Sequence, residues 1–403
     1  MRLVVLGGSA FSTVQLADAI AGWPAGEQRR PADLVVVLHG RSRERLAAVS
    51  DAFRARAAQR SLSVTVSAER DLGRALAGAD VVLNQIRIGG LEARVRDESF
   101  PQAHGLPGEE TMGPGGMACA VRTIPALRPF WAQLADGARD ALVINLTNPA
   151  GIVQQAARAQ VDMQIVTVCD SPLVLLRTVA LRLGTTQDEV RRRYVGMNHA
   201  GWYVPSSASE LTMLSDVTGL AALYQAVPLP YLSYYATPGQ MLAAQKGSPT
   251  RAEHLLVLRQ QLIESYSEGE LPAEWQRDAA WYRLAVVPLI DAWVNGSPDV
   301  LILGLPNAGR LPWLPAEIVI EGPVAADRPG RLEPLPLAVP PVLPQGVLAM
   351  HAAFEHLTAT TLAGEPNADA LTRAMAANPM VGDLDLARAL VDDLLANSHA
   401  QRG

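Results

Sequence analysis

The sequence predicts an α/β protein, with an N-terminal doubly wound parallel sheet followed by a mixed, largely helical α+β C-terminal domain. In the first half, short apolar runs alternate with segments of helical periodicity, the pattern of parallel strands joined by crossover helices. Gly7 and Gly8 directly follow the first apolar run, as a strand-to-helix turn requires. From about residue 173 helical segments dominate, so we predict domains at 1–172 and 173–403.

The elements predicted in the first half follow one another in order. Leu3 to Leu6 is a buried strand, and a helix runs from the glycine turn through Ile20. Further strands are predicted at 33–38, 63–66, 79–85, 141–146 and 164–168, with helices at 44–58 and 71–77. Ligands bind at the carboxyl ends of parallel strands. The residues at those ends should therefore converge on one crevice, namely Gly7, Gly8, Gln85, Asn148 and Cys169.

The second half is predicted to be mainly helical. Helices are predicted at 174–183, 186–194, 251–267, 347–362 and 367–376, and strands at 300–303 and 318–321. The proline-rich segment 323–344 is predicted to be a covering loop or an irregular pair of strands.

Composition excludes several classes of function. A chain of 403 residues, 49% of them hydrophobic, can bury a sizeable core. Its net charge of -6 argues against binding to nucleic acid, and two cysteines are too few for a disulfide framework. The sequence contains no apolar run of about eighteen residues, so no membrane span is predicted. We therefore expect a cytoplasmic protein that contacts neither nucleic acid nor membrane.

The glycine turn favours a dinucleotide site, and with it a Rossmann-like N-terminal domain. The run Gly7-Gly8-Ser9-Ala10 is shorter than a full G-x-G-x-x-G, but backbone N–H groups at a helix start can hold a pyrophosphate there. The second strand ends at His39-Gly40-Arg41, without the acid that NAD sites usually offer to the ribose. Arg41 either faces the 2′-phosphate of NADP or is a surface arginine. The cofactor predicted from this region is therefore NAD or NADP.

A thiol and an imidazole form a second candidate site. Cys169 lies at the end of a predicted strand, and His199 lies about one supersecondary unit further on. A thiol and an imidazole are suitable ligands for a soft divalent metal. A metal site next to a dinucleotide site indicates redox chemistry assisted by a Lewis acid. On residue type alone, a small buried hydrophobe at a strand end is favoured over a metal ligand for Cys169, and a helix-cap or core histidine is favoured for His199.

Several longer motifs together resemble those of glycoside hydrolase family 4. They are the run 84–125, which begins NQIRIGGLEARVRDE, and the later NLTNPAG, VCDSP, MNHAGW and PYLSYY. Their order and spacing are similar over most of the chain, and within the family they look most like the 6-phospho-β-glucosidases. NAD-dependent members of this family depart from the usual two-carboxylate mechanism.

The resemblance implies an NAD- and divalent-metal-dependent glycosidase, with manganese the typical metal. The implied mechanism is oxidation of the sugar at C3, removal of the C2 proton by a tyrosine, loss of the aglycone, addition of water and return of the hydride. It further implies a small phosphorylated glycoside as substrate and a homodimer or homotetramer as the assembly.

The resemblance also implies roles for individual residues. Cys169 and His199 match the metal ligands, and Asp170 matches the proposed general acid. Tyr235 is the first choice for the base and Tyr234 the second. The cofactor is expected to contact Gly7, Gly8, Ser9, Ala10, Arg41, Gln85 and Thr147. The substrate is expected to contact Arg94, which reads the 6-phosphate, and Glu110, Asn148 and Arg277.

Alternatives remain for the base, the substrate and the function. Tyr231 and Tyr282 are further candidates for the base. Asp278 follows Arg277 where the family commonly has glycine, and a carboxylate facing a phosphate would repel it, so a non-phosphorylated substrate stays open. The alternative functions are an NAD-dependent 2-hydroxyacid dehydrogenase and a non-catalytic sugar or nucleotide sensor.

Overall fold

The computed structural model describes residues 1–24, 27–364 and 366–400, and the described chain is organised around one twelve-stranded mixed sheet. The strands are β1 (Arg2–Leu6), β2 (Val35–His39), β3 (Thr65–Glu69), β4 (Val81–Asn84), β5 (Leu142–Asn145), β6 (Ile165–Thr167), β7 (Tyr194–Met197), β8 (Ala200–Tyr203), β9 (Val227–Pro228), β10 (Ser297–Pro306), β11 (Val319–Ala326) and β12 (Glu333–Pro334).

The first six strands are parallel and lie in the order β3-β2-β1-β4-β5-β6. This is the doubly wound order of dinucleotide-binding folds, so the predicted fold class is confirmed. The strand order reverses between β1 and β4, and a crevice opens at the carboxyl ends of these two strands.

Alternating side chains of β1 explain why both faces of the sheet are covered. Leu3 and Val5 pack into one apolar cluster with the helices that follow β1 and β2. Val4 and Leu6 pack on the opposite face against Trp131. All four side chains are at most 1% exposed, as expected for a central parallel strand.

The helices are α1 (Gln15–Ala21), α2 (Arg43–Gln59), α3 (Leu72–Leu76), α4 (Gly90–Ala103), α5 (Gly113–Gly137), α6 (Ala150–Arg158), α7 (Ser171–Leu183), α8 (Gln187–Arg191), α9 (Ala208–Met213), α10 (Ala221–Tyr224), α11 (Ser233–Ala236), α12 (Pro238–Gln245), α13 (Arg251–Ser267), α14 (Val287–Asn295), α15 (Val342–Ala363), α16 (Ala368–Ala376) and α17 (Leu384–Ala400). None of the described helices is long and apolar enough to cross a membrane.

The sheet continues beyond the predicted boundary at residue 172. Thr167 of β6 pairs with Gly304 of β10 in antiparallel orientation, and β11, β7, β8 and β9 follow. The boundary lies just after the start of α7, within one continuous sheet, and the division into two domains stays a prediction.

Two of the predicted elements differ clearly from the structure. The helix predicted at 186–194 is shorter, because Tyr194 begins β7, which pairs with β8. The segment predicted as a loop or strand pair at 323–344 begins within β11 and contains the short strand β12.

Candidate active site

A cavity of about 920 Å³ lies at the carboxyl ends of the parallel strands, where α12 and α13 close its outer side. It brings together most of the residues singled out in the sequence, which are Gly7, Ser9, Ala10, Arg41, Gln85, Arg94, Glu110, Asn148, Cys169, Asp170, His199, Tyr234 and Arg277. Three of the expected site residues do not line it, namely Gly8, Thr147 and Tyr235.

The glycine turn packs β1 against both of its neighbouring strands. Gly7 has a φ of +79°, and a Cβ on it would lie 2.8 Å from the backbone oxygen of Gln85. A Cβ on Gly8 would lie 2.9 Å from the Cα of Leu38. Close backbone packing therefore requires glycine at both positions, and Gly7, Ser9 and Ala10 face the cavity at the start of the first helical turn.

Hydrogen bonds fix the loop after β4 beside this turn. Gln85 donates from Nε2 to the Thr13 hydroxyl at 2.9 Å, and its Oε1 accepts from the Tyr282 hydroxyl at 2.6 Å. Thr147 donates to the backbone oxygen of Ile86 at 2.9 Å. Thr147 thus supports the cavity wall from behind, and the hydroxyl of Tyr282 is bound to Gln85.

Cys169 and His199 both line the cavity from separate elements. Cys169 follows β6, and His199 lies between β7 and β8 with a φ of +65°, a left-handed conformation that is unfavourable for a histidine. Burial lowers the pKa of His199 to about 3, so the ring is neutral at pH 7, the form that binds metals. Its Nδ1 is buried and has no hydrogen-bond partner in the described part of the chain, and the Glu109 carboxylate is 3.8 Å away.

This donor set fits a divalent metal. Burial, together with Glu321 and Asp170, raises the pKa of the Cys169 thiol, so a thiolate there needs a cation beside it. Within the described residues, no group of three or more His, Cys, Asp or Glu side chains is arranged to hold a metal. A metal on Cys169 and His199 would therefore keep coordination positions for water or substrate oxygens, as catalytic sites do.

The structure separates the neighbouring tyrosines. Tyr231 lies flat against His199, with ring centroids 3.8 Å apart and planes 2° from parallel. Tyr234 also lines the cavity, and its hydroxyl accepts from Gln245 at 3.3 Å. Tyr235, the first choice from the sequence, instead lies outside the cavity, with its hydroxyl 2.7 Å from Nδ1 of the buried His351. Successive side chains on the short helical turn point in different directions, and only Tyr231 and Tyr234 point inward.

Asp170 occupies the N-cap position of α7, beside Cys169. Burial raises its pKa above the ordinary aspartate value, although Arg277 acts in the opposite direction. A carboxyl group that holds its proton more tightly in a cavity is suited to act as a general acid.

Glu110 is the centre of a buried polar network. Its carboxylate accepts from Arg87, from Nη1 of Arg94 at 2.8 Å and from Nδ2 of Asn148 at 3.1 Å. Burial opposes ionisation, but Arg87 and Arg94 lower the pKa of Glu110 to about 2. Glu110 is therefore an ionised anchor that orients the three side chains around it.

Arg94 has two carboxylate partners and Arg277 has none among the described residues. Glu98 accepts from Nε of Arg94 at 2.6 Å, in addition to the contact with Glu110. The Arg277 guanidinium lies 5.3 Å from the centre of the Trp281 ring. Burial and the charges of Arg251 and Arg94 lower the pKa of Arg277 to about 10. This end of the cavity is thus a positive region open to an anion.

Asp278 lines the same cavity, but its carboxylate is paired with an arginine of its own. Its carboxylate pairs with Arg283 at 3.1 Å, and its side chain is 63% exposed. The backbone around it is held by Gln15, which donates to the carbonyl of Arg277 at 2.9 Å and accepts from the N–H of Ala279 at 2.7 Å. The carboxylate therefore has a partner outside the cavity.

Sequence reasoning missed six charged residues of the cavity, which are Arg45, Arg87, Glu98, Glu109, Arg251 and Arg259. Arg87 lies just beyond the carboxyl end of β4, and this position in the sequence could have identified it as a site residue. Arg251 begins α13, whose first turn is fixed by a hydrogen bond from the Ala252 N–H to Glu98 at 2.9 Å. No local pattern places that helix against α4, so only the packing brings Arg251 to the cavity.

Two family sequence models match this chain. Residues 29–185 match "Family 4 glycosyl hydrolase", and residues 194–381 match "Family 4 glycosyl hydrolase C-terminal domain". Together they cover most of the chain and confirm the resemblance inferred from the motifs.

Individual relatives match over nearly their whole length. A "Probable 6-phospho-beta-glucosidase" of Bacillus subtilis is 26% identical, covering 98% of this chain and 96% of the relative. A "Maltose-6'-phosphate glucosidase" of the same organism is 25% identical, covering 96% and 93%. The solved 6-phospho-beta glucosidase of Thermotoga maritima, with manganese, NAD+ and glucose-6-phosphate, has a TM-score of 0.84 and 23% identity over 99% of this chain and 98% of that one.

Proposed function

Because the chain belongs to glycosyl hydrolase family 4, we propose that it hydrolyses 6-phosphoglucosides and prefers the β-anomer. The motifs favour the β-anomer, as does the name of the Bacillus subtilis 6-phospho-beta-glucosidase relative. Another relative is named a maltose-6'-phosphate glucosidase, so the preferred anomer has to be determined by experiment.

The observation that carries this proposal is the positive end of the cavity. Arg277 has no carboxylate partner among the described residues, and Arg251 lines the same region. A guanidinium binds a phosphate through paired hydrogen bonds. We assign the sugar phosphate to Arg277 and to Arg94, whose orientation is fixed by Glu98 and Glu110.

The rest of the cavity accommodates the proposed cofactors. NAD would lie along Gly7, Ser9, Ala10 and Gln85, and when bound it supplies a hydride acceptor that later returns the hydride to the sugar. A divalent metal such as Mn²⁺ would be held by Cys169 and His199, where it supplies Lewis-acid polarisation of the sugar oxygens. The solved relative with manganese and NAD+ supports both assignments.

The chain's own groups perform the proton transfers in this proposal. Asp170 holds the proton that the departing aglycone oxygen needs, because burial raises its pKa. The base that removes the C2 proton is one of the two cavity tyrosines, Tyr231 or Tyr234. Burial raises the pKa of Tyr234 to about 12, so a cation close by is required for it to act as a base near neutral pH. The sugar hydroxyls contact Asn148, which Glu110 orients.

The test is hydrolysis of p-nitrophenyl α- and β-glucosides, each with and without a 6-phosphate, in the presence and absence of NAD⁺ and Mn²⁺. We expect turnover of the β-6-phosphate compound that needs both additives and produces no net NADH. Arg277→Ala should lower kcat/KM for that compound by about 10- to 100-fold, the loss expected for a charged hydrogen bond. The matched control is Arg388→Ala, an exposed arginine paired with Asp385 that does not line the cavity and should change little.

Other outcomes would contradict the proposal in distinguishable ways. Net NADH formation with 2-hydroxyacids and no need for metal would identify the dehydrogenase alternative. Binding of sugar and nucleotide without turnover of any glycoside would identify the sensor. Equal losses for phosphorylated and unphosphorylated substrates in Arg277→Ala would remove the phosphate assignment. The homodimer or homotetramer stays a prediction.

A further inference from the structure

We propose that the cofactor end of the cavity recognises the 2′-phosphate of NADP, at the carboxyl end of β2. This inference rests on the proposed function, in which a dinucleotide lies along Gly7 to Ala10. It adds the place where the 2′-phosphate of that dinucleotide binds. Residues 39–42 and Arg45 line this end of the cavity.

The tip of β2 carries no acid that could bind the two ribose hydroxyls of NAD. The position that usually supplies it is occupied by His39-Gly40. A Cβ on Gly40 would lie 2.8 Å from the Ser9 hydroxyl, so the backbone packs directly against the glycine turn. His39 is 5% exposed, and its Nδ1 is buried with no hydrogen-bond partner among the residues that the structure describes. The tip therefore presents polar groups without a negative charge.

The nearest carboxylate on the next strand is turned away. Glu69 is paired in register with His39 across β2 and β3. Its Oε1 accepts from the backbone N–H groups of Arg70 and Asp71, at 2.8 and 2.9 Å. Glu69 is not among the residues that line the cavity, so it cannot substitute for the missing acid.

Two arginines supply positive charge at the same place. Arg41 follows the tip of β2, and Arg45 lies in the first turn of α2. Both are exposed, and neither has a carboxylate partner among the described residues. Ser42, the N-cap of this seventeen-residue helix, lines the cavity between them. Guanidinium groups, a hydroxyl and a helix N-terminus together suit a phosphate dianion.

The chemistry of the two cofactors differs only at this point. NAD presents a ribose 2′-hydroxyl, which gains most from an acceptor such as aspartate, whereas NADP presents a phosphate, which a carboxylate would repel. Two arginines that have no paired carboxylate among the described residues therefore favour NADP over NAD.

The test is calorimetric titration of the purified full chain with NADP⁺ and with NAD⁺, at equal ionic strength. We expect NADP⁺ to bind at least about 10-fold more tightly, since charge-assisted hydrogen bonds contribute roughly that factor each. The double variant R41A/R45A should lose about 10-fold or more of its NADP⁺ affinity and keep its NAD⁺ affinity within about twofold. The matched control is R43A, an exposed arginine on the same turn that does not line the cavity.

Each contrary result has a separate meaning. NAD⁺ binding as tightly as NADP⁺ or more tightly would overturn the inference and leave the proposed glycosidase intact. Equal losses of both cofactors in R41A/R45A, or an R43A effect as large as that of the double variant, would show that these arginines do not read a 2′-phosphate. Failure of both nucleotides to bind would overturn the inference together with the dinucleotide part of the proposed function.

Discussion

Two carboxyl groups in the cavity have pKa values shifted in opposite directions by their surroundings. Both are largely buried, which by itself favours the protonated form. Glu110 contacts two arginines, and its pKa falls to about 2. Asp170 has no ion pair among the described residues, and burial leaves its pKa raised. Such a division between a permanent anion and a proton carrier is a common feature of active sites.

The Asp170 assignment predicts a loss of activity that depends on the leaving group. Asp170→Asn should lower kcat/KM by about 100-fold or more for an alkyl 6-phosphoglucoside, since general acids contribute 10²–10⁴-fold. The p-nitrophenyl substrate should be affected far less, because p-nitrophenolate leaves without protonation.

The pH profile gives a second measurement of the same residue. The acid must be protonated to act, so the alkyl-substrate activity of the wild type should fall as pH rises through the raised pKa of Asp170. This decrease in activity with rising pH should be absent in Asp170→Asn. Equal losses for both substrates, or an unchanged pH profile, would show that Asp170 positions the substrate and does not donate a proton.

At the scale of elements, glycines fix the packing that holds Glu110 in place. A Cβ on Gly115, near the start of α5, would lie 2.1 Å from the backbone oxygen of Glu109 and 2.6 Å from that of Asp97 in α4. A Cβ on Gly108 would lie 1.6 Å from the backbone oxygen of Glu98. The loop between α4 and α5 therefore lies directly on backbone, which sets the positions of Glu109 and Glu110.

This packing predicts that Gly115→Ala destabilises the protein, by about 1–3 kcal/mol as for other overpacked sites. Its activity should also fall at temperatures where the variant is fully folded, because Glu110 would be displaced. Gly346→Ala is the control, since Gly346 is exposed within α15 and a Cβ there meets nothing within 4 Å. The control should be stabilised by about 0.5–1 kcal/mol through helix propensity. Urea unfolding measures both, and similar values for the two variants would contradict the packing argument.

Helices α4 and α5 also mark where sequence patterns stop being sufficient. Pro101 lies within α4, and Pro125 and Pro129 lie within α5, where local preferences oppose a helix. Burial of Leu127, Trp131 and Leu134 against the sheet overrides that preference. Strands such as β1 and β4 were predictable because their apolar runs are short and rich in valine, as is typical of buried parallel strands.

Across the whole molecule, the cavity joins the parallel sheet to the C-terminal elements. Cys169 comes from the end of β6, His199 from the β7–β8 turn and Arg277 from the segment before α14. A metal held by Cys169 and His199 joins two elements that meet only in the native state, so its binding should be visible in global unfolding.

This arrangement predicts that Mn²⁺ raises the unfolding temperature of the wild type. At about 100 times its Kd the metal should add about 2.7 kcal/mol, measured by calorimetry after chelation and again after addition of Mn²⁺. Cys169→Ser and His199→Ala should remain folded, lose this shift and lose activity. Cys119→Ser is the control, because Cys119 is buried against Thr123 and the backbone of Asn148, outside the cavity. A full shift in Cys169→Ser would remove the metal assignment.

The sequence by itself determined the α/β class, the family and the gathering of Gly7, Gln85, Asn148 and Cys169 at one edge. Strand order makes that gathering unavoidable, because parallel strands end on the same side. Only the tertiary structure decided that Tyr231 and Tyr234, and not Tyr235, reach the cavity, since neighbouring residues of one short turn differ in direction alone. It also decided that Arg94 has carboxylate partners and that Arg277 has none among the described residues. Charge compensation depends on residues far apart in the chain, and no local pattern records which of them meet.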